Sequence, residues 1–191
     1  MDLIIIDGCD ASGKDTHAYK LKDMFERMDK KVEIRSHPEG DNLFGRIAKD
    51  ALLKDGSAVN KLKASIFYAL DVFRSLKKYY DDDEVDVLIL VRYLMGTAYL
   101  PDPLCGISYE VFRKILPTSE HMFFLDVNPE EALERLNERE DREIFENYRD
   151  ISRVRNKVFS IIDSEWHVID TNKPIDETYQ NIKKILDEKS S

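Results

Sequence analysis

Hydrophobic and polar positions follow two different periods along this chain, and the points where the period changes outline its elements. Leu3-Ile4-Ile5-Ile6, within 2–7, is an unbroken apolar run, the pattern of a short strand buried on both faces of a parallel sheet. Over 14–28 the residues Ala18, Leu21, Phe25 and Met28 share one helical face. Val32 to Arg35 reads as a second short strand. Ser36-His37-Pro38-Glu39-Gly40-Asp41 reads as a loop, because Pro and Gly interrupt both periods. Leu43, Phe44, Ile47, Ala48, Ala51 and Leu52 predict a helix ending near Asp55-Gly56. A long helix is expected over about 57–80, with Leu62, Ile66, Ala69, Leu70, Phe73 and Leu76 facing inward.

The second half continues the alternation. Asp86-Val87-Leu88-Ile89-Leu90-Val91 is a third strand, expected at the centre of the sheet. Arg92-Tyr93 falls at its carboxyl end, the edge where open α/β sheets place ligands. Residues 94–106, with Pro101 and Pro103, are expected to be irregular, and Ser108 to Leu116 a short helix. His121 to Val127 is a fourth strand. Asn128 caps a helix with Pro129 at its first position, Glu130 and Glu131 in the first turn, and Ala132, Leu133 and Leu136 inward. Charge crowds 137–150. Val154, Val158, Ile161 and Ile162 then predict a helix, Trp166 to Asp170 the last strand, and 174–188 a closing helix. Five strands alternating with helices predict an α/β fold with a parallel sheet.

Composition narrows the function classes. A chain of 191 residues suits one domain with a sizeable core, and its hydrophobic content of 42% is globular. A net charge of −9 argues against nucleic acid or a membrane surface as the main partner. Asp81-Asp82-Asp83-Glu84 reads as a solvated turn. Cys9 and Cys105 form neither a disulfide framework nor a metal motif, so a reducing cytoplasm is expected. No stretch approaches about 18 apolar residues, and no signal peptide is read before the first strand. His17, His37, His121 and His167 share no spacing, and no metal site is expected from them.

The chemistry concentrates in Asp7-Gly8-Cys9-Asp10-Ala11-Ser12-Gly13-Lys14-Asp15-Thr16. A strand, a loop bounded by Gly8 and Gly13, then Lys14 and a helix is the setting in which G-x-x-x-x-G-K binds phosphate. The glycines let successive backbone N–H groups turn toward one anion, the helix N-terminus adds positive potential, and Lys14 can reach the outer phosphates. The usual hydroxyl directly after the Lys is replaced by Asp15, so Thr16 is the candidate hydroxyl for Mg²⁺. Asp10 is positioned to meet Mg²⁺-bound water or a sugar hydroxyl, or else to cap the turn. Arg92 is a candidate clamp between donor and acceptor phosphates, or else a rim Arg paired with a helix carboxylate. Arg139, Arg142, Arg149, Arg153 and Arg155 form a dense basic set with intervening acids, and i,i+4 pairing on a solvated helix would account for most of them.

With these residues in place the chain resembles the thymidylate kinase family of P-loop nucleoside monophosphate kinases over nearly its whole length. The phosphate loop is similar to that family's E/D-G-x-D-x-S-G-K-x-T. His37-Pro38 followed by Gly45 resembles its substrate loop, and Tyr68-Ala69-Leu70-Asp71 an aromatic-led motif that stacks on the base, with Phe67 as the neighbouring alternative. Leu88 to Tyr93 resembles its strand ending in D-R-Y. Phe124 to Val127 with Pro129 and Ala132 to Arg135, then Asp141-Arg142 and Arg153-Val154-Arg155, resemble the elements around the lid, and Val168 to Thr171 with Ile175 the loop near adenine.

The resemblance implies a three-layer P-loop kinase fold with a five-stranded parallel sheet flanked by helices. It implies a single domain over 1–191 with a lid at about 138–150, a homodimer, and Mg²⁺-dependent transfer from ATP to a nucleoside monophosphate, dTMP giving dTDP. Gly8, Cys9, Asp10, Ala11, Ser12, Gly13, Lys14, Asp15 and Thr16 would then hold ATP, with Thr16 and Asp10 toward the metal. Asp10, Pro38, Tyr68, Arg74, Arg92 and Tyr99 would hold the acceptor, and Lys14, Arg92 and Arg142 would act in catalysis. The chain departs from the pattern at Val91, where the family has Asp before Arg-Tyr, and at Val72, where it has an Arg that bonds thymine; the segment from Arg92 to Tyr99 is one residue shorter. A different acceptor on the same ATP site, or a nucleotide-binding relative impaired in catalysis, are the alternatives that these departures open.

Overall fold

A computed structural model describes residues 1–54, 58–102, 104–137 and 148–189. The elements run β1 (Asp2–Gly8), α1 (Lys14–Glu26), β2 (Val32–Ser36), α2 (Leu43–Leu52), α3 (Ala58–Tyr79), β3 (Val87–Val91), a 3-10 turn (Met95–Tyr99), α4 (Leu104–Ile115), β4 (His121–Asp126), α5 (Pro129–Asn137), α6 (Tyr148–Ile161), β5 (Trp166–Asp170) and α7 (Ile175–Lys189). The strands form one parallel sheet in the order β2-β3-β1-β4-β5. β1, not β3, is therefore the middle strand. The apolar run of β3 is equally continuous, but it lies between β1 and β2, one place off centre.

Side-chain alternation divides each strand between two helical layers. Ile5, Leu88, Leu90, Phe124 and Trp166 pack under Val72 of α3, Tyr109 of α4 and Val154 and Val158 of α6. Ile4, Ile6, Val87, Ile89, Val91, Phe123 and Leu125 pack against Leu21 of α1 and Ile182 of α7. Each fully buried Leu, Ile or Phe contributes about 1.5–3 kcal/mol, and the continuous apolar runs of β1, β3 and β4 at the centre of the sheet supply most of them, while the edge strands β2 and β5 are more polar. Because all strands are parallel, all carboxyl ends lie on one edge. There Ile6 pairs with Val91, Val91 with Ser36, and Gly8 with Leu125.

Three sequence expectations change. α1 stops at Glu26, and Met28 is exposed beyond it, because the chain turns back through Asp29 at φ 59° with Lys30 N–H donating to Phe25 O. Residues 94–106 are not irregular throughout: Leu104 N–H donates to Pro101 O at 2.8 Å and α4 begins four residues earlier than expected. The third correction is the largest. Leu62, Ile66, Leu70 and Phe73 of α3 do not face inward; they are 40–60% exposed. The buried face carries Ala64, Asp71, Val72 and Ser75 instead. Asp71 accepts Asn42 Nδ2 at 2.6 Å and the Glu39 N–H at 2.7 Å. A buried carboxylate must keep its donors, and this sets the rotation of α3 and leaves its apolar stripe outside.

Candidate active site at the carboxyl edge of the sheet

The loop after β1 is cut to fit an anion. Ala11 and Gly13 both take positive φ, 60° and 82°, folding the chain back toward α1. A side chain at Gly8 would meet Ser12 Oγ at 2.4 Å and Leu125 O at 2.7 Å, so only glycine fits there. Ser12 N–H closes the turn on Cys9 O at 3.2 Å. Lys14 reaches back across the loop and donates from Nζ to Cys9 O at 3.0 Å. It is almost wholly buried, and that burial, reinforced by the charge of Arg92, lowers its pKa. A cation held this way gains from an incoming anion. Ser12 Oγ is buried without a protein partner, and the first-turn N–H groups of α1 lack intrahelical acceptors. Together these form a phosphate cradle. Cys9 within it is inert as a nucleophile, since burial pushes its thiol up to about 12.

The facing wall is the turn after β3. Arg92 sits at φ 54°, uncommon for a non-glycine residue. Two contacts hold it there. Its carbonyl accepts the Tyr68 hydroxyl in a short hydrogen bond, and the next three backbone N–H groups, of Tyr93, Leu94 and Met95, all donate to the carboxylate of Asp7. Asp7 is buried, and burial raises its pKa against the pull of those donors. So positioned, Arg92 Nη2 meets Asp10 Oδ1 at 3.0 Å, while Tyr99 Oη donates to Asp10 Oδ2 at 2.9 Å and Lys14 Nζ lies 3.8 Å from Asp10 Oδ1. Lys14, Asp10, Arg92, Tyr99 and Tyr68, widely separated in sequence, thus meet at one place. A side chain at Gly96 would come within 2.7 Å of Tyr68 Oη, so the ring occupies the space that Gly96 leaves open.

The loop after β2 supplies the third wall. The His37–Pro38 peptide is cis and both residues are buried. His37 packs edge-on to Tyr68, and burial pushes its imidazole down to about 4, so it is neutral. Arg35 Nη2 lies 3.0 Å from both oxygens of Asp41, and Arg74 Nη1 lies 3.7 Å from Asp41 Oδ1. Arg74 therefore reaches the loop after β2 from α3. Val72 is packed in the core and faces away from this wall. Asp15 Oδ1 accepts the Ser36 hydroxyl at 2.5 Å, and Thr16, the next residue, is exposed.

On the far side of the loop, Arg135 donates to Ala11 O at 3.2 Å and Thr171 O at 2.8 Å, tying the phosphate loop to the turn after β5. Arg155 makes a two-pronged pair with Asp126 at 2.6 and 2.8 Å, and Arg153 pairs with Asp150 at 2.7 Å. Arg139 and Arg142 lie outside the described residues. Asp7, Ser36 and Arg135 were not singled out from the sequence. Asp7 and Ser36 end strands at the ligand edge, which is a usable signal; nothing local marks Arg135. Among the described residues no three His, Cys, Asp or Glu side chains gather for a metal, and no helix is long and apolar enough to cross a membrane.

A strand–loop–helix phosphate cradle at the carboxyl edge of a five-stranded parallel sheet, faced by an Arg from the neighbouring strand, defines a P-loop phosphotransferase. The family model described as "Thymidylate kinase" matches residues 6–182. A relative from Archaeoglobus fulgidus named "Probable thymidylate kinase" is 27% identical, over 97% of this chain and 94% of its own. The thymidylate kinase of Danio rerio is 24% identical, over 96% and 88%. The solved thymidylate kinase of Candida albicans superposes with a TM-score of 0.79 at 19% identity, covering 99% of this chain and 92% of its own. The chain belongs to the thymidylate kinase family, and hence to the nucleoside monophosphate kinases.

Proposed function

We propose that this protein transfers the γ-phosphoryl group of ATP to a nucleoside monophosphate, with dTMP as the acceptor giving dTDP. The observation that carries this reading is the convergence of Lys14 and Arg92 on one carboxylate, at 3.8 and 3.0 Å from Asp10 Oδ1. One cation belongs to the phosphate loop and the other to the acceptor wall. Phosphoryl transfer needs little covalent chemistry from the protein; it needs positioned positive charge where negative charge spreads over the moving group. Lys14 would hold the donor phosphates. Arg92, released from Asp10 by a phosphate, would bridge donor and acceptor. The acceptor would lie among Pro38, Tyr68, Arg74, Arg92 and Tyr99.

The donors at this edge, carboxylates of Asp10 and Asp15 and hydroxyls of Ser12, Thr16 and Ser36, are hard oxygens that suit Mg²⁺, which needs only one or two carboxylates when phosphates complete its shell. Bound with ATP, it would neutralise charge on the phosphate oxygens. A second reading, a different acceptor on the same ATP site, is supported by Val72 and Val91: one buries the position of a base contact, and the other leaves β3 without a terminal acid. We read the chain as one cytoplasmic domain that pairs with a second copy through the apolar stripe of α3. An ADP-release assay with Mg²⁺-ATP and a panel of nucleoside monophosphates tests the assignment. Turnover is expected with dTMP. Turnover with another monophosphate alone would replace the acceptor, and ATP binding without turnover on any of them would overturn the kinase reading.

A further inference from the structure

β3 ends at Val91, fully buried, and so offers no carboxylate at the ligand edge. Its neighbour in register on β2 is Ser36. The Ser36 hydroxyl donates to Asp15 Oδ1 at 2.5 Å, so the Asp15 carboxylate is fixed beside the strand ends where β3 carries none. Asp15 follows Lys14 directly, in the first turn of α1, the position from which a P-loop side chain addresses a phosphate-bound cation. Its negative charge acts on Lys14, which places it within the electrostatic field of the cradle. Thr16, one residue on, is exposed and, among the described residues, makes no contact that fixes it at this edge, whereas Asp15 is anchored by Ser36. Asp10 is engaged by Arg92 and Tyr99.

The cradle itself carries an independent sign of a ligand: Ser12 Oγ, against Gly8 inside the loop, is buried and unpartnered. A phosphate oxygen would satisfy it, and Mg²⁺ accompanies such phosphates with one or two protein carboxylates. We propose that Asp15, held by Ser36, is the carboxylate that retains Mg²⁺ with the nucleotide in this chain, in place of both a hydroxyl at its own position and an acid at Val91. The assignment rests on the ATP site proposed above.

Calorimetric titration of the full chain with a non-hydrolysable ATP analogue, with and without Mg²⁺, tests it apart from turnover. In the native protein Mg²⁺ is expected to tighten binding. Asp15→Asn should lose about 10-fold or more of that tightening, while Mg²⁺-free affinity holds or improves as a negative charge leaves the phosphate site. Ser36→Ala should lose a smaller part of the same tightening. Thermal melts without metal confirm that each variant is folded. Mg²⁺-dependent binding that survives both substitutions would overturn the role of Asp15 and leave the ATP site standing. Failure of the native chain to bind the analogue at all would overturn the ATP site and this assignment with it.

Discussion

Asp7 and Tyr93 are joined at 2.8 Å, the carboxylate at the end of β1 accepting the backbone N–H just past β3. With the N–H groups of Leu94 and Met95 on the same carboxylate, this bond fixes the turn that points Arg92 at Asp10. Asp7 touches no proposed ligand, yet it sets where the clamp stands.

Asp7→Asn keeps the volume but turns one acceptor into a donor facing backbone N–H groups. A stability loss of about 1–3 kcal/mol is expected from urea unfolding. Because Arg92 loses its aim, kcat should also fall roughly 10-fold with the KM for ATP little changed. A stability loss with unaltered kinetics would mean that the turn and the clamp are independent.

Lys14→Met separates function from stability. The ammonium is desolvated by burial in the cradle, so its removal should leave thermal stability unchanged or slightly raised. Activity should nonetheless drop by about 10²–10³ in kcat/KM, the scale for loss of one preorganised charge. Unchanged activity would remove the phosphate loop from the mechanism.

His37 makes stability depend on pH. Its imidazole ordinarily titrates near 6.5 and is pushed to about 4 by burial, against the nearby Asp71 carboxylate and with Arg35 acting in the same direction as burial. Between these values the unfolded chain binds the proton more tightly. The stabilising contribution is thus complete above about pH 6.5 and is lost as pH falls toward 4. Urea unfolding of the native chain and His37→Gln at pH 7.5 and 4.5 checks it. The gap between the two should close at the lower pH; a constant gap would contradict it.

The outer stripe of α3 predicts an oligomer. Leu62, Ile66, Leu70 and Phe73 repeat at helical spacing and are 40–60% exposed, a contiguous apolar surface of the kind that marks an interface. Light scattering should find a dimer. Leu62→Glu with Phe73→Glu should yield a folded monomer, and a native chain that is already monomeric would exclude this face as a self-interface.

The strands and the phosphate loop were legible because their information is local. Unbroken apolar runs give the three central strands, shorter apolar clusters the two edge strands, and Gly8, Gly13 and Lys14 carry their spacing in sequence. Lys14 was read from its loop and Arg92 from the end of its strand, Tyr68 and Tyr99 by resemblance; in the fold Lys14, Arg92 and Tyr99 meet around Asp10, and Tyr68 holds the Arg92 carbonyl. What escaped was set by distant partners. The rotation of α3 depends on Asp71 meeting Asn42 and Glu39, about 30 residues upstream, so counting apolar positions on α3 alone chose the wrong face. Asp7 matters through a turn more than 80 residues away. The pairing of Asp15 with Ser36, 21 residues on, was likewise invisible in the local spacing of the phosphate loop.

The contact between Gly96 and Tyr68 couples two positions that are 28 residues apart in the chain. The phenol fills the space that a side chain at 96 would need, so position 96 can grow only where the ring at 68 gives way. Pairing a small residue at 68 with a hydroxyl-bearing one at 96 would trade the ring for a polar wall. Such a change of wall in this scaffold therefore has an order: 68 shrinks first and 96 grows second.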